Sequence, residues 1–515
     1  MKPIDVSLDY AIQQQFDYIV VGGGMYGCYF AQKMAFASQF NARILLIERG
    51  GRRLNTHEDN LPKFSVDRGQ LFDGAPFTAN VNQQPDHGVA WDVHALGGKS
   101  TVWGRWSPRL THHALAHWPE YIRRHINSWY QIAERDLFVN QGRRIFSNDH
   151  FHNFSEWLSA HPIANLETPR LAPVAVQTEP EFPGHFCNGT FSVLPGLFDA
   201  MAHCDKSSGS IDILLNTSVE QLELDGDGNI GALILEHQGH MHQLPTRGSP
   251  VLLAAGLARS TQLASAVSQH DQIGKGLFTH LRSDLIGAVA RDHFLFQDWN
   301  WQQYPLFASH CPGRFEGKDF HLQVNIVNDF GEQLDSILYR TMGSNDEMQW
   351  RLKQIDQQGQ LTFSIYCLGE KEVAGSQFLP EFTHVEWEMT EGDQRLRRHM
   401  TQCALELIQR LVQHKPVHWI RRHDNPEDGE LGGFYQSMSS SYHEAGTLSR
   451  HKGPLNNHGQ FKDIPNLWCI DQSGFCPGGS ANPVLTGCAL ILNTVDQLRP
   501  AAIKDNATEQ ALAGI

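Results

Sequence analysis

Near its N-terminus the chain carries the stretch Tyr18-Ile19-Val20-Val21-Gly22-Gly23-Gly24-Met25-Tyr26-Gly27, an apolar run that ends in a cluster of glycines. A buried strand that turns sharply into a helix needs this pattern. Gly22 would make the turn, Gly24 would let a pyrophosphate approach the backbone, and Gly27 would let helix and strand pack closely. The anion would sit on the N–H groups at the positive end of the helix. The stretch therefore predicts a dinucleotide-binding unit.

The residues after the glycines agree with this prediction. A helical stretch runs from Met25 to about Ala37, and a second apolar run, Arg43–Ile47, ends in Glu48. An acid at this spacing bonds the adenosine ribose hydroxyls of a bound dinucleotide. The alternative, a glycine-rich turn with no ligand, is less favoured because a strand, a helix and a second strand surround the motif.

Length and composition argue against several other classes of protein. A chain of 515 residues, 41% hydrophobic and 19% charged, is expected to fold into two domains. The net charge of −15 argues against a nucleic-acid partner, because no basic stretch is dense enough to offset it. No apolar run approaches the ~20 residues that a membrane-spanning helix needs.

The N-terminus and the cysteines bear on the compartment. Residues 1–5 show neither an apolar signal region nor a twin arginine. The nine cysteines contain no C-x-x-C pair and resemble reduced thiols rather than a disulfide framework. We therefore expect a cytoplasmic protein that is not inserted into a membrane.

Two groups of later segments predict further elements of the nucleotide-binding part. Strand-like runs at 212–224 and 232–235 flank the turn Asp225–Asn229 and predict a hairpin. Apolar runs at 250–256 and 466–471 predict buried strands of a parallel sheet.

The aromatic-rich region between these runs has a different pattern. Alternating pieces within 284–390, such as Phe320–Val327, predict an antiparallel sheet. Apolar residues at helical spacing over 392–414 predict a helix that covers this sheet.

Four further motifs follow the glycine run, and they resemble those of the glucose–methanol–choline (GMC) flavoprotein oxidoreductases. The resemblance covers residues 16 to about 500 and is strongest for the pyranose-oxidase-like branch. The motifs are Leu96–Gly104, Ala254-Ala255-Gly256 with Ser260-Thr261, Ile273–His280, and finally His443-Glu444-Ala445-Gly446-Thr447 with Asp471-Gln472-Ser473 to Asn482–Thr486.

The resemblance implies an α/β fold, α+β overall. It implies a discontinuous Rossmann-type FAD-binding domain and a substrate-binding domain whose antiparallel sheet is covered by helices. The FAD-binding domain would comprise residues 15–110, 205–285 and 455–510. The substrate-binding domain would comprise residues 111–204 and 286–454.

The resemblance also implies a site for FAD, and two departures from the family pattern qualify it. Val102 stands where pyranose oxidases join a histidine covalently to the flavin, so we expect non-covalent FAD. Leu448–His451 replaces the usual R-M-G, which puts the shape of the nearby active-site wall in doubt. The residues implied at the cofactor are Gly22, Gly24, Met25, Tyr26, Gly27, Glu48, Arg49, Gly97, Gly98, Ser100, Val102, Trp103, Val219, Ala255, Asp471, Asn482, Pro483 and Val484.

By the same resemblance, the catalytic residues are His443 and Asn482. His443 would take the hydroxyl proton of an alcohol while flavin N5 accepts the hydride. Asn482 would hold the substrate oxygen beside His443. Independently of the family, Asn482-Pro483 is typical of a helix start, with Asn as the N-cap. The positive end of that helix could stabilise negative charge on the reduced flavin.

These expectations describe an FAD-dependent alcohol oxidoreductase acting on a sugar, a glycoside or a hydroxylated metabolite. Two alternatives stay open. A relative of this fold in a biosynthetic pathway could act as a lyase or decarboxylase or perform an unusual oxidation, and a flavin-binding subunit could lack turnover. The substrate, the electron acceptor (oxygen or another oxidant) and the oligomeric state do not follow from the sequence.

Other polar clusters do not predict a metal site or a reactive thiol. Asp225, Asp227, Asn229 and Glu236 fall at calcium-loop positions, but position 6 is Ile230 rather than glycine, so a hairpin turn is favoured. Three clusters complete this set. His237, His240 and His242 lack a further ligand, His112, His113 and His117 lack an H-E-x-x-H pattern, and Cys476 and Cys488 lack an activating base.

Overall fold

A computed structural model describes residues 5–61, 71–86, 92–139, 146–177, 189–304, 306–328, 359–419, 434–435, 438 and 442–499. All structural statements below concern these residues. Parts of the expected antiparallel region, including 329–358, lie outside them.

The α-helices are distributed along the whole chain. They are α1 (Leu8–Gln13), α2 (Met25–Ala37), α3 (His112–Leu115), α4 (Glu120–Asp136), α5 (Asn148–Ala160), α6 (Val193–Cys204), α7 (Leu257–Val267), α8 (Glu391–Leu411) and α9 (Pro483–Leu498).

The β-strands occur both singly between helices and in longer uninterrupted series. They are β1 (Tyr18–Val21), β2 (Arg43–Ile47), β3 (Thr78–Val81), β4 (Gln84–Pro85), β5 (Arg170–Leu171), β6 (Val176–Gln177), β7 (Gly189–Thr190), β8 (Ser210–Leu214), β9 (Thr217–Leu224), β10 (Ile230–His237), β11 (His240–Pro245), β12 (Val251–Leu253), β13 (His280–Ala290), β14 (Leu306–Phe315), β15 (Lys318–Asn328), β16 (Gln360–Glu370), β17 (Gln377–Leu379), β18 (His384–Trp387), β19 (His418–Trp419), β20 (Phe434–Tyr435) and β21 (Leu467–Cys469).

A parallel sheet forms the centre of the nucleotide-binding part. Its strand order is β21-β12-β1-β2-β8, and every neighbouring pair is parallel. The middle strands are buried on both faces, which explains why they are continuous apolar runs rather than alternating ones. The predicted strands at 18–21 and 43–47 and the helix at 25–37 are confirmed.

An antiparallel sheet forms the second large layer, as predicted. Its order is β19-β13-β16-β15-β14-β5, and β20 also pairs with β13. Long, unbroken registers join β13, β16, β15 and β14. Helix α8 packs on this sheet through buried residues that include Leu396, Met400 and Leu407, so the predicted covering helix is confirmed.

The predicted hairpin is confirmed over residues 217–237, but residues 212–214, predicted within its first arm, belong to β8 of the parallel sheet. Strand β9 pairs with β10, and the Asp225 carboxylate closes the turn by accepting from the N–H groups of Asp227 and Asn229 at 2.9 Å each. A third strand, β11, extends this sheet and was not predicted. Among the described residues, no helix is both long enough and apolar enough to cross a membrane.

Candidate active site

The glycine turn has the geometry that its sequence predicts. Gly22 has a φ of +108°, and a Cβ there would lie 2.4 Å from the carbonyl oxygen of Ala254. A Cβ on Gly27 would lie 2.0 Å from the carbonyl oxygen of Gly22, so only glycine lets α2 pack this closely. Gly24 is different, because a Cβ there would meet no atom within 4 Å. The open space beside Gly24, at the start of α2, is where an anion could reach the backbone.

Glu48 follows β2 and faces the same turn. Its side chain is buried, and its two oxygens accept from the N–H groups of Gly23 and Gly50 at 2.8 Å each. Burial raises the pKa of this carboxyl, and the two backbone hydrogen bonds oppose that rise. Each oxygen keeps a second lone pair, which suits it to accept from ribose hydroxyls. Arg49, the next residue, is exposed.

The loop over residues 97–103 lies directly on the glycine turn. The Gly97 N–H donates to the Gly23 carbonyl at 2.7 Å, and a Cβ on Gly98 would lie 2.9 Å from Gly24 Cα. Ser100 Oγ is buried and has no hydrogen-bond partner among the described residues. A buried hydroxyl without a partner is costly unless something bonds to it. The open space beside Gly24 and this hydroxyl both fit a bound dinucleotide.

The remaining residues implied at the cofactor lie at several places around this turn. Asp471 follows β21, but its carboxylate is already occupied: Oδ2 accepts from the Gly256 N–H at 3.0 Å and from Ser260 Oγ at 2.5 Å. Its other oxygen accepts from the Ser473 N–H at 2.9 Å. Asp471 therefore orders the loops around the sheet edge. The others are Met25 and Tyr26 at the start of α2, half-buried Val102 and Trp103, buried Val219 on β9, and Ala255 after β12.

Backbone contacts hold the segment that carries His443. Phe278 and Ala445 exchange two backbone hydrogen bonds, at 3.0 and 2.9 Å. Gly446 has a φ of +93°, and a Cβ there would lie 2.5 Å from the Gly276 carbonyl oxygen. The two motifs 273–280 and 443–447 therefore form one unit, which places His280 beside His443.

His443 contacts two polar side chains. Its Nδ1 lies 2.8 Å from His280 Nδ1, and its Nε2 lies 3.4 Å from Asn482 Nδ2. Both histidines line a small cavity whose other walls are largely apolar, and these walls include Leu110, Trp118, Phe278 and Phe475. The structure therefore brings the two predicted catalytic residues together, although they lie more than thirty residues apart in sequence, and His443 of the two lines the cavity.

Burial keeps both histidines neutral at pH 7. It lowers the pKa of His443 well below its usual value, and the neighbouring charges of His280, Arg282 and Lys99 act in the same direction. Burial alone lowers the pKa of His280 to about 3. A neutral imidazole has one unprotonated nitrogen and can accept a proton, so the pair is suited to general-base chemistry.

Asn482 occupies the N-cap position of α9, but the prediction that it acts as the N-cap is only half right. Pro483 is the first helical residue, as expected, yet the Asn482 side chain makes no capping hydrogen bond. Its Oδ1 instead accepts from Gln323 Nε2 at 2.7 Å, and its Nδ2 faces His443. The amide that could have capped the helix thus bonds to Gln323 and faces His443. Val484, in the first turn, is half-buried.

Three residues of this site were missing from the sequence-based set. His280 ends the motif Ile273–His280, but no function was predicted for it. Gln323 and His321 lie in the run Phe320–Val327, which was predicted only to be part of the antiparallel sheet. The sequence does contain a signal for His321 and Gln323, because polar residues at i and i+2 in an otherwise apolar strand indicate that one face of the strand contacts polar groups. Both are buried on β15.

Glu444, next to the predicted base, is a further buried acid. Burial raises its pKa to about 7, and its Oε1 has no hydrogen-bond partner among the described residues. Leu448–His451, the departure from the family pattern, places Arg450 inside the protein. Its Nη1 donates to the Gly474 carbonyl at 2.6 Å and supports the loop after β21.

One group of side chains near the cavity has ligand-like spacing. His113, Asp319 and Glu370 place one ligand atom each within 4.8 Å of one another. The Asp319 carboxylate is however already bonded by the Thr111 hydroxyl, and the Arg314 guanidinium lies 3.4 Å from it. The Asp319 carboxylate therefore already has protein partners. Cys476 and Cys488 are buried and their thiol pKa values are raised by burial, which makes them poor nucleophiles.

Comparison with known proteins agrees with this architecture. Residues 377–490 match the model of a family described as GMC oxidoreductase. The crystal structure of a formate oxidase superposes with a TM-score of 0.64 at 12% identity, and a variant of the Aspergillus oryzae RIB40 formate oxidase, made to study FAD modification, superposes at 0.65 and 12%. A fungal aryl-alcohol oxidase superposes at 0.59 and 11%.

Each of these alignments covers 96% of this chain and 99% of the other. At such low identity the likeness concerns the fold. No curated protein matches the chain in sequence.

Proposed function

Because the chain has the fold of the GMC oxidoreductases and carries their C-terminal domain, as its motifs predicted, we propose that it is an FAD-dependent oxidoreductase that oxidises a CH–OH group to a carbonyl. The substrate would be a small molecule, namely a sugar, a glycoside or a hydroxylated metabolite. Oxygen or another oxidant would be the electron acceptor. The contact of Asn482 with His443, which lines the cavity, carries this proposal.

The residues of the glycine turn and of the 97–103 loop would hold the cofactor. Bound there, FAD would supply the acceptor for the hydride of the substrate. The backbone at Gly24 would bind the pyrophosphate, Glu48 the ribose hydroxyls, and the Ser100 hydroxyl a polar atom of the cofactor. Val102 has a hydrocarbon side chain and offers no atom for a covalent link, so the cofactor would be dissociable.

His443 and Asn482 would have different roles at the substrate hydroxyl. The neutral His443 would accept the hydroxyl proton at Nε2. Asn482 Nδ2 would donate to the substrate oxygen as negative charge develops on it. The N-terminus of α9 begins at the next residue and adds a positive potential at this end of the site.

We also propose which segments of the chain bind FAD and which bind the substrate. Residues 15–110, 205–285 and 455–510 would bind FAD, and residues 111–204 and 286–454 would bind the substrate. The parallel sheet with its glycine turn supports the first assignment, and the antiparallel sheet that faces His443 through Gln323 supports the second. We also propose a cytoplasmic location.

Replacement of His443 by alanine tests the catalytic assignment. The variant should bind FAD, since other residues form the glycine turn that would hold the cofactor, but reduction of the flavin by substrate should slow by ~10²–10⁴-fold. The measurement is anaerobic stopped-flow bleaching of the flavin with sugars and small alcohols. His240→Ala, in the exposed turn between β10 and β11, is the matched control. Reduction of the His443→Ala protein at the wild-type rate would place the base elsewhere.

A further inference from the structure

A continuous network of buried and half-buried polar side chains runs from the loop before α9 through β15 to the predicted base. His321 Nδ1 lies 3.0 Å from Ser480 Oγ, and His321 Nε2 lies 3.1 Å from Gln323 Nε2. The same Gln323 nitrogen donates to Asn482 Oδ1 at 2.7 Å. In order, this hydrogen-bonded chain of side chains consists of Ser480, His321, Gln323, Asn482, His443 and His280.

Counting donors and acceptors from the amide orientations in the structure gives these six side chains one polarity. Gln323 Nε2 has two hydrogens, which go to Asn482 Oδ1 and to His321 Nε2, so His321 must carry its proton on Nδ1 and donate to Ser480. Since Asn482 Oδ1 is an acceptor, its Nδ2 must face His443 as a donor. His443 Nε2 is then an acceptor, and its proton is on Nδ1, donated to His280 Nδ1.

One other arrangement of protons satisfies every contact. If both amides are flipped, Gln323 Oε1 accepts from Asn482 Nδ2 and from His321 Nε2. Asn482 then presents its oxygen to His443, whose Nε2 must carry the proton. In this reversed polarity His443 presents a donor to the cavity and cannot act as a base. Flipping only one of the two amides brings like groups together, because donor would meet donor or acceptor would meet acceptor.

We propose that Gln323 is a positioning residue that fixes the Asn482 amide and, through it, the base-competent tautomer of His443. This inference rests on the proposed function, because only an oxidation that begins with proton removal needs His443 Nε2 unprotonated. Gln323 is not among the residues that line the cavity, and it donates to Asn482, through which it would act. The orientation of the Gln323 amide, oxygen to one side and nitrogen to the other, determines the orientation of the Asn482 amide.

The groups around the network set the conditions of a pH experiment. His310 on β14 lies against His321, with ring centroids 4.7 Å apart, and burial lowers the pKa of both. His280 and Arg282 on β13 and Lys99 in the 97–103 loop face His443. Because burial, His280, Arg282 and Lys99 all depress the pKa of His443, that residue stays neutral to a lower pH than an exposed histidine does.

Gln323→Glu separates a positioning role from a merely structural one. An ionised carboxylate can only accept, so it demands the reversed polarity, and flavin reduction should fall by ~10²–10⁴-fold, the range for misplaced or wrongly protonated catalytic groups. A protonated carboxyl has one O–H that can donate to Asn482 Oδ1 and restore the original polarity. The rate of this variant should therefore rise as the pH is lowered, which a wild-type general base would not do.

Two further variants make the comparison sharp. Gln323→Met keeps the approximate volume but fixes no polarity, so its rate should fall without a rise at low pH. Asn325→Asp places the same new charge two residues along the same face of β15, where the side chain bonds only to backbone carbonyls. Its pH profile should follow that of the wild type. An identical profile for Gln323→Glu and Asn325→Asp would overturn the proposal.

Neutron diffraction of the wild-type protein gives a readout that needs no turnover. We expect deuterium on His443 Nδ1 and His321 Nδ1, and none on His443 Nε2. Deuterium on His443 Nε2 alone would overturn the proposal even if Gln323→Glu failed to fold. If no alcohol reduced the wild-type flavin, the proposed function would fail, whereas the polarity of the chain would still be decided by the neutron map.

Discussion

Two glycines of the same turn should respond in opposite ways to one added methyl group. In Gly27→Ala the new Cβ would lie 2.0 Å from the Gly22 carbonyl oxygen, whereas in Gly24→Ala it would meet nothing within 4 Å. Gly24 also has a φ of −76°, which alanine adopts without strain. We expect Gly27→Ala to damage the fold, and Gly24→Ala to leave the fold intact but weaken FAD binding.

The magnitudes follow from these contacts. Gly27→Ala forces α2 and the turn apart by about 1 Å, and overpacking of this kind costs ~1–3 kcal/mol or more. Gly24→Ala loses some N-cap preference but restricts the unfolded chain, and these two effects cancel to within ~1 kcal/mol. With FAD, the Gly24→Ala methyl group displaces the pyrophosphate from charge-assisted N–H bonds worth ~1.5–3 kcal/mol. That loss corresponds to a roughly 10- to 150-fold weaker Kd.

Two measurements check this pair. Urea unfolding of the FAD-free proteins should show a large loss of stability for Gly27→Ala and almost none for Gly24→Ala. Titration with FAD, followed by flavin fluorescence, should show the weaker Kd for Gly24→Ala. If Gly24→Ala bound FAD as tightly as the wild type, the space beside Gly24 would not be the pyrophosphate site.

Two other predictions concern protonation and the cofactor link. Because burial lowers the folded-state pKa of His280 to about 3, the unfolded chain binds the proton first as the pH falls, and stability present above pH ~6.5 is lost progressively below it. Between pH 7 and pH 5 this loss is about 2 kcal/mol in the free energy of unfolding measured with urea. His280→Gln should remove this loss, whereas the exposed His240→Gln should not. If the wild type and both variants lost stability equally with falling pH, the loss would not come from His280. Acid precipitation of the FAD-loaded protein should leave a colourless pellet, since Val102 offers no covalent attachment, and a yellow pellet would show a linked flavin.

Local sequence determined the nucleotide-binding part of the fold. Strands β1 and β2 and helix α2 match their predicted bounds, because a glycine turn and short apolar runs depend on neighbours in sequence. Strand β11 was missed because its sequence is polar, and its pairing with β10 supplies the order that its own residues do not indicate.

The candidate site was less accessible to sequence reasoning. The family pattern pointed to His443 and Asn482, and the structure places them in contact. The partners that set their protonation are His280 and Gln323, which lie on two strands of the antiparallel sheet. Because these strands are distant in sequence from His443 and Asn482, residue spacing does not predict the contacts between them. The Asn482 side chain was misassigned because a local rule for helix ends was outweighed by a tertiary hydrogen bond to Gln323.

The strand order of the parallel sheet has a consequence for the synthesis of the protein. Strands β1, β2, β8 and β12 leave the ribosome first, but the edge of β12 stays unpaired until β21 has been translated. Unpaired edges recruit strands of other chains, so nascent or C-terminally truncated protein should be prone to aggregate. Helix α9, which packs on α2, arrives later still. The glycine turn is therefore made long before β21 and α9, which complete its native surroundings.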